Sequence, residues 1–145
     1  MGVAIAGLRF AWLVCCLLSI AVDARQRRFP NGLFAVMAVV SASLVLFDAG
    51  ALTLFRHVLA ALIVCGILTA LECFWRRRKG TVGMGMGDIK ALFCLVLMDP
   101  AIGLLSFCLG MMLLALVGVL ARKGALPALP FICTAFIVLR LLAAL

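Results

Sequence analysis

The stretch Gly83-Met84-Gly85-Met86-Gly87-Asp88-Ile89-Lys90 places a glycine at every second position ahead of a carboxylate and an ammonium group. Long apolar runs flank this stretch on both sides. An acid between apolar segments is costly unless it lies in a hydrated or paired site. The fold and the function of the chain therefore depend on what surrounds Asp88 and on whether a second acid lies beside it.

The composition is that of an integral membrane protein. Of the 145 residues, 68% are hydrophobic and only 12% are charged. One spanning helix needs about 20 residues, so the chain has room for roughly six spans and little else. The apolar runs are continuous rather than alternating, which argues against barrel strands. We expect an all-α polytopic membrane protein in which residues 1–145 form a single membrane-embedded domain.

The apolar runs predict six spans, and the fourth is unusually short. Asp99 follows Asp88 by eleven positions, which covers roughly 16 Å of helix and about half of the hydrocarbon thickness. Either Asp88 lies in a water-filled pocket, or the turn after this span dips into the membrane beside protein or water. The predicted spans are about Val3–Val22, Gly32–Phe47, Leu52–Phe74, Asp88–Met98, Ala101–Ala121 and Pro130–Leu145.

The positions of the basic residues predict the topology. Nine of the thirteen lie in the loops between spans 1 and 2, 3 and 4, and 5 and 6, whereas the other two loops carry only Asp48 and Asp99. Basic loops stay in the cytoplasm, so both termini are expected outside it. The same rule accounts for the net charge of +8, and no nucleic acid is expected as a partner. The remaining basic side chains near the outward ends are expected to snorkel to the interface; they are Arg9, Arg56, His57 and Arg140.

The seven cysteines are interpreted as small buried apolar residues rather than as metal ligands or disulfides, because none form a CxxC pair. No metal and no cofactor are expected.

Asp23 and Asp88 each lie at a loop–helix border, with two spans between them, and are therefore expected on the same, cytoplasmic side. Two neighbouring carboxylates share a proton and titrate as a unit. One then activates water while the other polarises a carbonyl, which is aspartic-type peptide hydrolysis. Two structural roles stay open. Asp23 could pair with the arginines that follow it, and Asp88 could cap span 4.

The glycines have no Cβ atom, so another part of the backbone or a substrate can approach Gly83, Gly85 and Gly87 closely. An extended peptide would hydrogen-bond to such a segment. Flexible linkage is the alternative interpretation.

Two motifs resemble those of type IV prepilin peptidases. Gly85-Met86-Gly87-Asp88 followed by Ile89-Lys90 resembles their GxGD signature, which continues with Val or Ile and then Lys. Asp23-Ala24-Arg25-Gln26-Arg27-Arg28-Phe29-Pro30-Asn31 resembles their first motif, with Phe29 in place of the usual isoleucine. Leu129-Pro130-Phe131 resembles a third, weaker motif without its second Pro-Phe and its downstream glycine.

This resemblance implies that Asp23 and Asp88 form the catalytic pair. Such enzymes remove the short basic leader from prepilins and pseudopilins at the cytoplasmic face of the plasma (inner) membrane. Gly85, Gly87 and Lys90 are then expected to bind substrate, with Lys90 either orienting it, holding Asp88 ionised, or only snorkelling. Membrane lipids are expected partners, and the oligomeric state stays open.

The size of the chain points to one subgroup of that family. Larger bacterial members carry a cytoplasmic insert with paired CxxC motifs that methylates the new N-terminus, and no such spacing occurs here. The chain resembles the short peptidase-only members of Flp (tight-adherence) pilus systems and, more distantly, archaeal preflagellin peptidases. No methyltransferase domain is expected. A small ion-coupled transporter is an alternative, but it would be expected to have acids near mid-span and an internal repeat. A non-catalytic pilus-assembly scaffold is a third possibility, but it does not explain the glycine pattern that ends in an acid.

Overall fold

The computed structural model describes residues 2–26, 28–80, 84–122 and 126–143. Within these ranges the chain forms six helices and no strand, which confirms the predicted all-α fold. Gly83, Arg27 and the predicted end of span 6 at Leu145 lie outside the described residues. The helices are α1 (Gly2–Gln26), α2 (Asn31–Ala49), α3 (Ala51–Lys79), α4 (Met86–Met98), α5 (Pro100–Ala121) and α6 (Leu129–Leu142).

Four of these helices are long and apolar enough to cross a membrane, namely α1, α2, α3 and α5. The other two are shorter: α4 has 13 residues and α6 has 14 in the described part of the chain. At 1.5 Å per residue, α4 covers only about 20 Å. The short fourth segment expected from the sequence is therefore a real feature of the fold.

Helix α4 lies at the centre of the bundle, which explains how it can be so short. It packs against α2, α3 and α5, and less extensively against α6. The outer helices expose large apolar side chains instead, among them Leu62, Met112 and Val119. Because neighbouring helices surround α4, it does not have to match the thickness of the bilayer. Eight of its residues are buried: Ile89, Ala91, Leu92, Cys94, Leu95, Val96, Leu97 and Met98.

Small residues on α5 let this helix approach its neighbours at backbone distance. The buried residues of α5 are Gly103, Ser106 and Gly110. A Cβ atom on Gly103 would lie 2.8 Å from the backbone of Leu95 in α4, and one on Gly110 would lie 2.7 Å from Cα of Ile132 in α6. Van der Waals packing of small residues is the usual means of helix association in membranes, and here it fixes both short helices against α5.

The indole of Trp12 joins α1 to two other helices. Its Nε1–H donates a hydrogen bond to Oγ of Ser41 in α2 over 3.0 Å. Its ring packs on Phe136 of α6 with ring centroids 5.1 Å apart. The hydrogen bond satisfies the indole N–H in an otherwise apolar core.

Two of the basic residues expected to snorkel form ion pairs instead. The Arg9 guanidinium binds the Asp48 carboxylate over 2.9 Å, and the Arg140 guanidinium binds Asp99 over 2.9 Å. The other oxygen of Asp99 accepts hydrogen bonds from backbone N–H groups in the first turn of α5. The sequence pattern showed both signs of charge at this end of the bundle but not which residues would pair.

All seven cysteines are free thiols. The expectation of burial is correct for five of them and wrong for Cys73 and Cys108, which lie exposed on α3 and α5. In the described ranges, no group of three or more potential ligands is arranged to hold a metal ion.

Candidate active site

An open cavity of about 380 Å³ lies where the last turn of α1 meets the first turns of α4 and α6. It brings together four of the predicted site residues, Asp23, Asp88, Gly85 and Gly87, while Lys90 is not part of its lining. The remaining lining residues are Arg28, Phe29, Met86, Leu126, Pro127 and Ala128.

Asp88 lies in the first turn of α4, outside the four candidate spans, and its carboxylate folds back over the start of the helix. Gly85 is the N-cap residue, and the interaction of its backbone N–H with the Asp88 carboxylate lowers the pKa of this acid. A Cβ atom on Gly85 would lie 3.0 Å from Oδ2 of Asp88, so glycine leaves the space that the carboxylate occupies. The N-cap is thus Gly85 rather than Asp88, which follows it by three residues and lines the cavity from the first turn of α4.

Asp23 is buried in the last turn of α1, with only 7% of its surface exposed. Its Oδ2 accepts a hydrogen bond of 3.0 Å from the backbone N–H of Leu129, the first residue of α6. Free N–H groups and the helix dipole both favour a negative charge at a helix N-terminus. The start of α6 therefore supplies a hydrogen-bond donor to the buried Asp23 carboxylate.

The two acids interact electrostatically across the cavity. Burial raises the pKa of Asp88, the charge on Asp23 raises it further, and the hydrogen bond from Gly85 lowers it, leaving the pKa at about 6 against the ordinary 3.8. The sequence left open whether a short fourth helix would place Asp88 at the height of Asp23. The cavity that both acids line shows that it does.

Gly87 permits close contact between the two sequence motifs. A Cβ atom there would lie 3.2 Å from Cβ and 3.4 Å from the backbone nitrogen of Phe29, which is itself buried. The segment that follows Asp23 thus rests on the first turn of α4. A close backbone approach at Gly87 was expected, but its partner was not predicted because Phe29 lies 58 positions earlier in the chain.

Lys90 links the same two motifs. Its ammonium donates a hydrogen bond of 2.6 Å to Oδ1 of Asn31, the first residue of α2. Lys90 forms no ion pair with Asp88, although the structure describes both residues. Lys90 is thus placed to hold the start of α2 beside α4, and the interpretation that it keeps Asp88 ionised receives no support from a contact.

Two contributors to the site were not predicted. The first is the Leu129 N–H, a backbone group that no side-chain pattern reveals, although it belongs to the third, weaker motif. The second is Glu72, a buried acid whose carboxylate accepts a hydrogen bond from the Met84 N–H. A signal for Glu72 was present, since an acid within an apolar span is rare and usually functional.

The fold and the site define a polytopic helical membrane protein with two carboxylates facing one open cavity. A model of the type IV leader peptidase family matches residues 10–121, which are 112 of the 145 residues. The chain belongs to the type IV leader peptidase family and is a peptidase, and the family implies substrates of the prepilin type. The matched region includes both acids and ends before Leu129. No curated protein and no solved structure was found to match the chain.

Proposed function

We propose that this protein is an aspartic endopeptidase that removes the leader peptide from Flp-like prepilins and pseudopilins at the cytoplasmic face of the plasma (inner) membrane. The observation that carries the proposal is the pair of acids, Asp23 and Asp88, in one cavity but in different electrostatic environments. A leader peptidase must activate a water molecule and polarise an amide carbonyl, and a pair of unlike carboxylates does both. The proposed chemistry uses no cofactor.

The environments assign a role to each acid. Asp23, which accepts the Leu129 N–H, is the ionised member and takes a proton from the attacking water. Asp88, whose pKa is raised to about 6, acts as the acid in the fraction of molecules in which it carries a proton, and donates that proton to the carbonyl oxygen as the tetrahedral intermediate forms. When the intermediate collapses, the C–N bond breaks. The leaving amine takes the proton from Asp23, and Asp88 recovers its proton from the intermediate's hydroxyl group.

The glycines support the binding of an extended substrate. Gly85 has an extended backbone and is exposed at the cavity, next to the half-exposed side chain of Met86. A peptide lying along this segment would meet no Cβ atom at Gly85 or Gly87. We propose that these glycines contact the substrate residues on either side of the scissile bond. Lys90 does not line the cavity, and we propose that it supports substrate binding indirectly, by holding the start of α2 beside α4.

The charge distribution supports a cytoplasmic site. The cavity lies at the end of the bundle that also carries the basic cluster at the end of α3. There the Lys79 ammonium lies 4.3 Å from the centre of the Trp75 ring, and the Arg78 guanidinium lies 5.0 Å from that of Phe74. Aromatic and basic residues together are typical of a membrane interface that binds anionic lipid. In the proposed topology, both termini lie on the opposite side.

The positions of the acids do not favour an ion-coupled transporter. All five acids in the chain lie within about two turns of a helix end. Asp48 and Asp99 are in ion pairs, and Glu72 is paired with Arg76. Coupling acids in transporters lie near the bilayer midplane.

Co-expression with an Flp-type prepilin tests the proposal, with leader removal scored by the size shift on an immunoblot. Wild type is expected to process the prepilin, whereas Asp23→Asn and Asp88→Asn each abolish processing while still fractionating with the membrane. Asp48→Asn is the matched control, because it removes an acid of the same type from an exposed ion pair at the other end of the bundle worth at most about 1 kcal/mol. Full processing by both site variants would end the proposal. Processing of a preflagellin but not of the prepilin would move the substrate to the archaeal type.

A further inference from the structure

Glu72 is a buried acid that the peptidase chemistry does not use. It is the only glutamate in the chain and is 5% exposed on α3. One carboxylate oxygen accepts a hydrogen bond of 2.6 Å from Nε of Arg76, and the other accepts one of 2.8 Å from the backbone N–H of Met84. A buried charge is tolerated where such partners compensate for lost hydration.

The Met84 hydrogen bond holds the chain just before α4. Met84 is followed directly by Gly85, the cap whose N–H interacts with the Asp88 carboxylate. Gly85 is exposed and has no side chain; its carbonyl accepts backbone hydrogen bonds from Asp88 and Ile89, while the chain before it is held at Met84. The charge-assisted hydrogen bond to Glu72 therefore adds a second restraint, from the N-terminal side, on the position of this cap.

We propose that Glu72 is a positioning residue for the peptidase reaction: it fixes Met84, through Met84 the Gly85 cap, and through the cap the Asp88 carboxylate opposite Asp23. This inference rests on the proposed function. Misplacing a reacting group by about 1 Å can cost on the order of 100-fold in rate, so a restraint two steps from the chemistry matters for kcat. Glu72 is not part of the cavity lining, so it can affect substrate binding only through Gly85, and we expect most of the loss in kcat.

Four substitutions separate the restraint from the ion pair. Glu72→Met keeps the length of the side chain and removes the acceptor. Glu72→Asp keeps the charge but draws it back from Met84 by one methylene group. Glu72→Gln keeps one acceptor for the Met84 N–H and loses the ion pair, and Arg76→Gln loses the ion pair alone.

Cleavage of a prepilin peptide by purified full-length enzyme in detergent measures kcat, KM and the pH profile. We expect kcat to fall by roughly 10- to 100-fold in Glu72→Met and by about tenfold in Glu72→Asp, with KM within about threefold of wild type. The pH at which the rate begins to fall is expected to move, because Asp88 changes its surroundings. Glu72→Gln restores kcat to within a few-fold, and Arg76→Gln resembles wild type.

Several results would overturn the inference. They are wild-type kcat in Glu72→Asp, equal loss in Glu72→Gln and Glu72→Met, or loss of kcat with an unchanged pH profile. Should Glu72→Met fail to fold, the comparison of Glu72→Asp with Glu72→Gln decides the matter. If the wild-type enzyme itself does not cleave the peptide, the proposed function is what fails.

Discussion

Replacing Asp88 by asparagine tests whether the fold holds this acid in an unfavourable ionised state at neutral pH. The pKa of Asp88 is about 6 in the folded protein and 3.8 ordinarily. Because the pKa of Asp88 is higher in the folded than in the unfolded protein, protonated Asp88 contributes fully to the free energy of unfolding below pH 4. That contribution is lost as the pH rises to 6. Asparagine is neutral throughout, so Asp88→Asn should gain stability over wild type across that window and keep the gain above pH 7.

The size of the gain follows from the shift. About two pKa units at about 1.4 kcal/mol each correspond to at most ~3 kcal/mol. The carboxylate borders an open cavity, so screening by water reduces the expected gain to about 1–2 kcal/mol. For a chain of this length that corresponds to a rise in melting temperature of roughly 2–8 °C.

Thermal unfolding in detergent at pH 4.5 and pH 8 measures this effect. The difference in melting temperature, Asp88→Asn minus wild type, is expected to be several degrees larger at pH 8. In an Asp23→Asn background the same comparison should shrink but not vanish, because the charge on Asp23 is the second cause of the shift and burial is the first. A difference that is the same at both pH values would refute the reasoning.

The remaining predictions concern rate, packing and the contact between the two motifs. Peptide cleavage measured as kcat/KM should fall about tenfold per pH unit above pH 6, as the protonated fraction of Asp88 declines; a flat profile from pH 5.5 to 8 would show that Asp88 is not the acid. Gly110→Ala places a Cβ atom 2.7 Å from the backbone of α6 and should destabilise the protein by about 1–3 kcal/mol in thermal unfolding. Gly66→Ala on the open face of α3, where a Cβ atom meets nothing within 4 Å, should be neutral or stabilising, and equal losses in both would argue against the close helix contact. Lys90→Met removes the hydrogen bond to Asn31 and should lower kcat. If that hydrogen bond is the only role of Lys90, the double variant Lys90→Met/Asn31→Ala should be no less active than Asn31→Ala alone. Additive losses in the double variant would instead place Lys90 in contact with substrate.

The limits of the helices could be predicted only in part from apolarity. The third span was expected to end at Phe74, but α3 continues through the basic cluster to Lys79. Arginine and lysine are good helix formers, so the helix ends instead at Gly80, which adopts the left-handed conformation with φ 65°. Apolar runs mark where a helix meets lipid, whereas its ends are set by caps.

The candidate site was predictable where topology alone decides it. Asp23 and Asp88 were expected on one side because two spans lie between them, and that placement is confirmed by the cavity they share. Their matching heights were not predictable, because nothing in the residues of α4 shows that other helices surround it. The hydrogen bond to Asp23 was missed because its donor is the backbone N–H of Leu129. The hydrogen bond to Glu72 was missed because its donor is also a backbone group, the N–H of Met84, twelve residues later in the chain.

The hydrogen bond between Asp23 and Leu129 has a consequence for the order of biosynthesis. The two residues are 106 positions apart, and Asp88 is made between them. A chain that has inserted α1 to α5 holds both acids but lacks the N–H group that binds the Asp23 carboxylate. Asp23 therefore gains this hydrogen-bond partner only when α6 docks against α1.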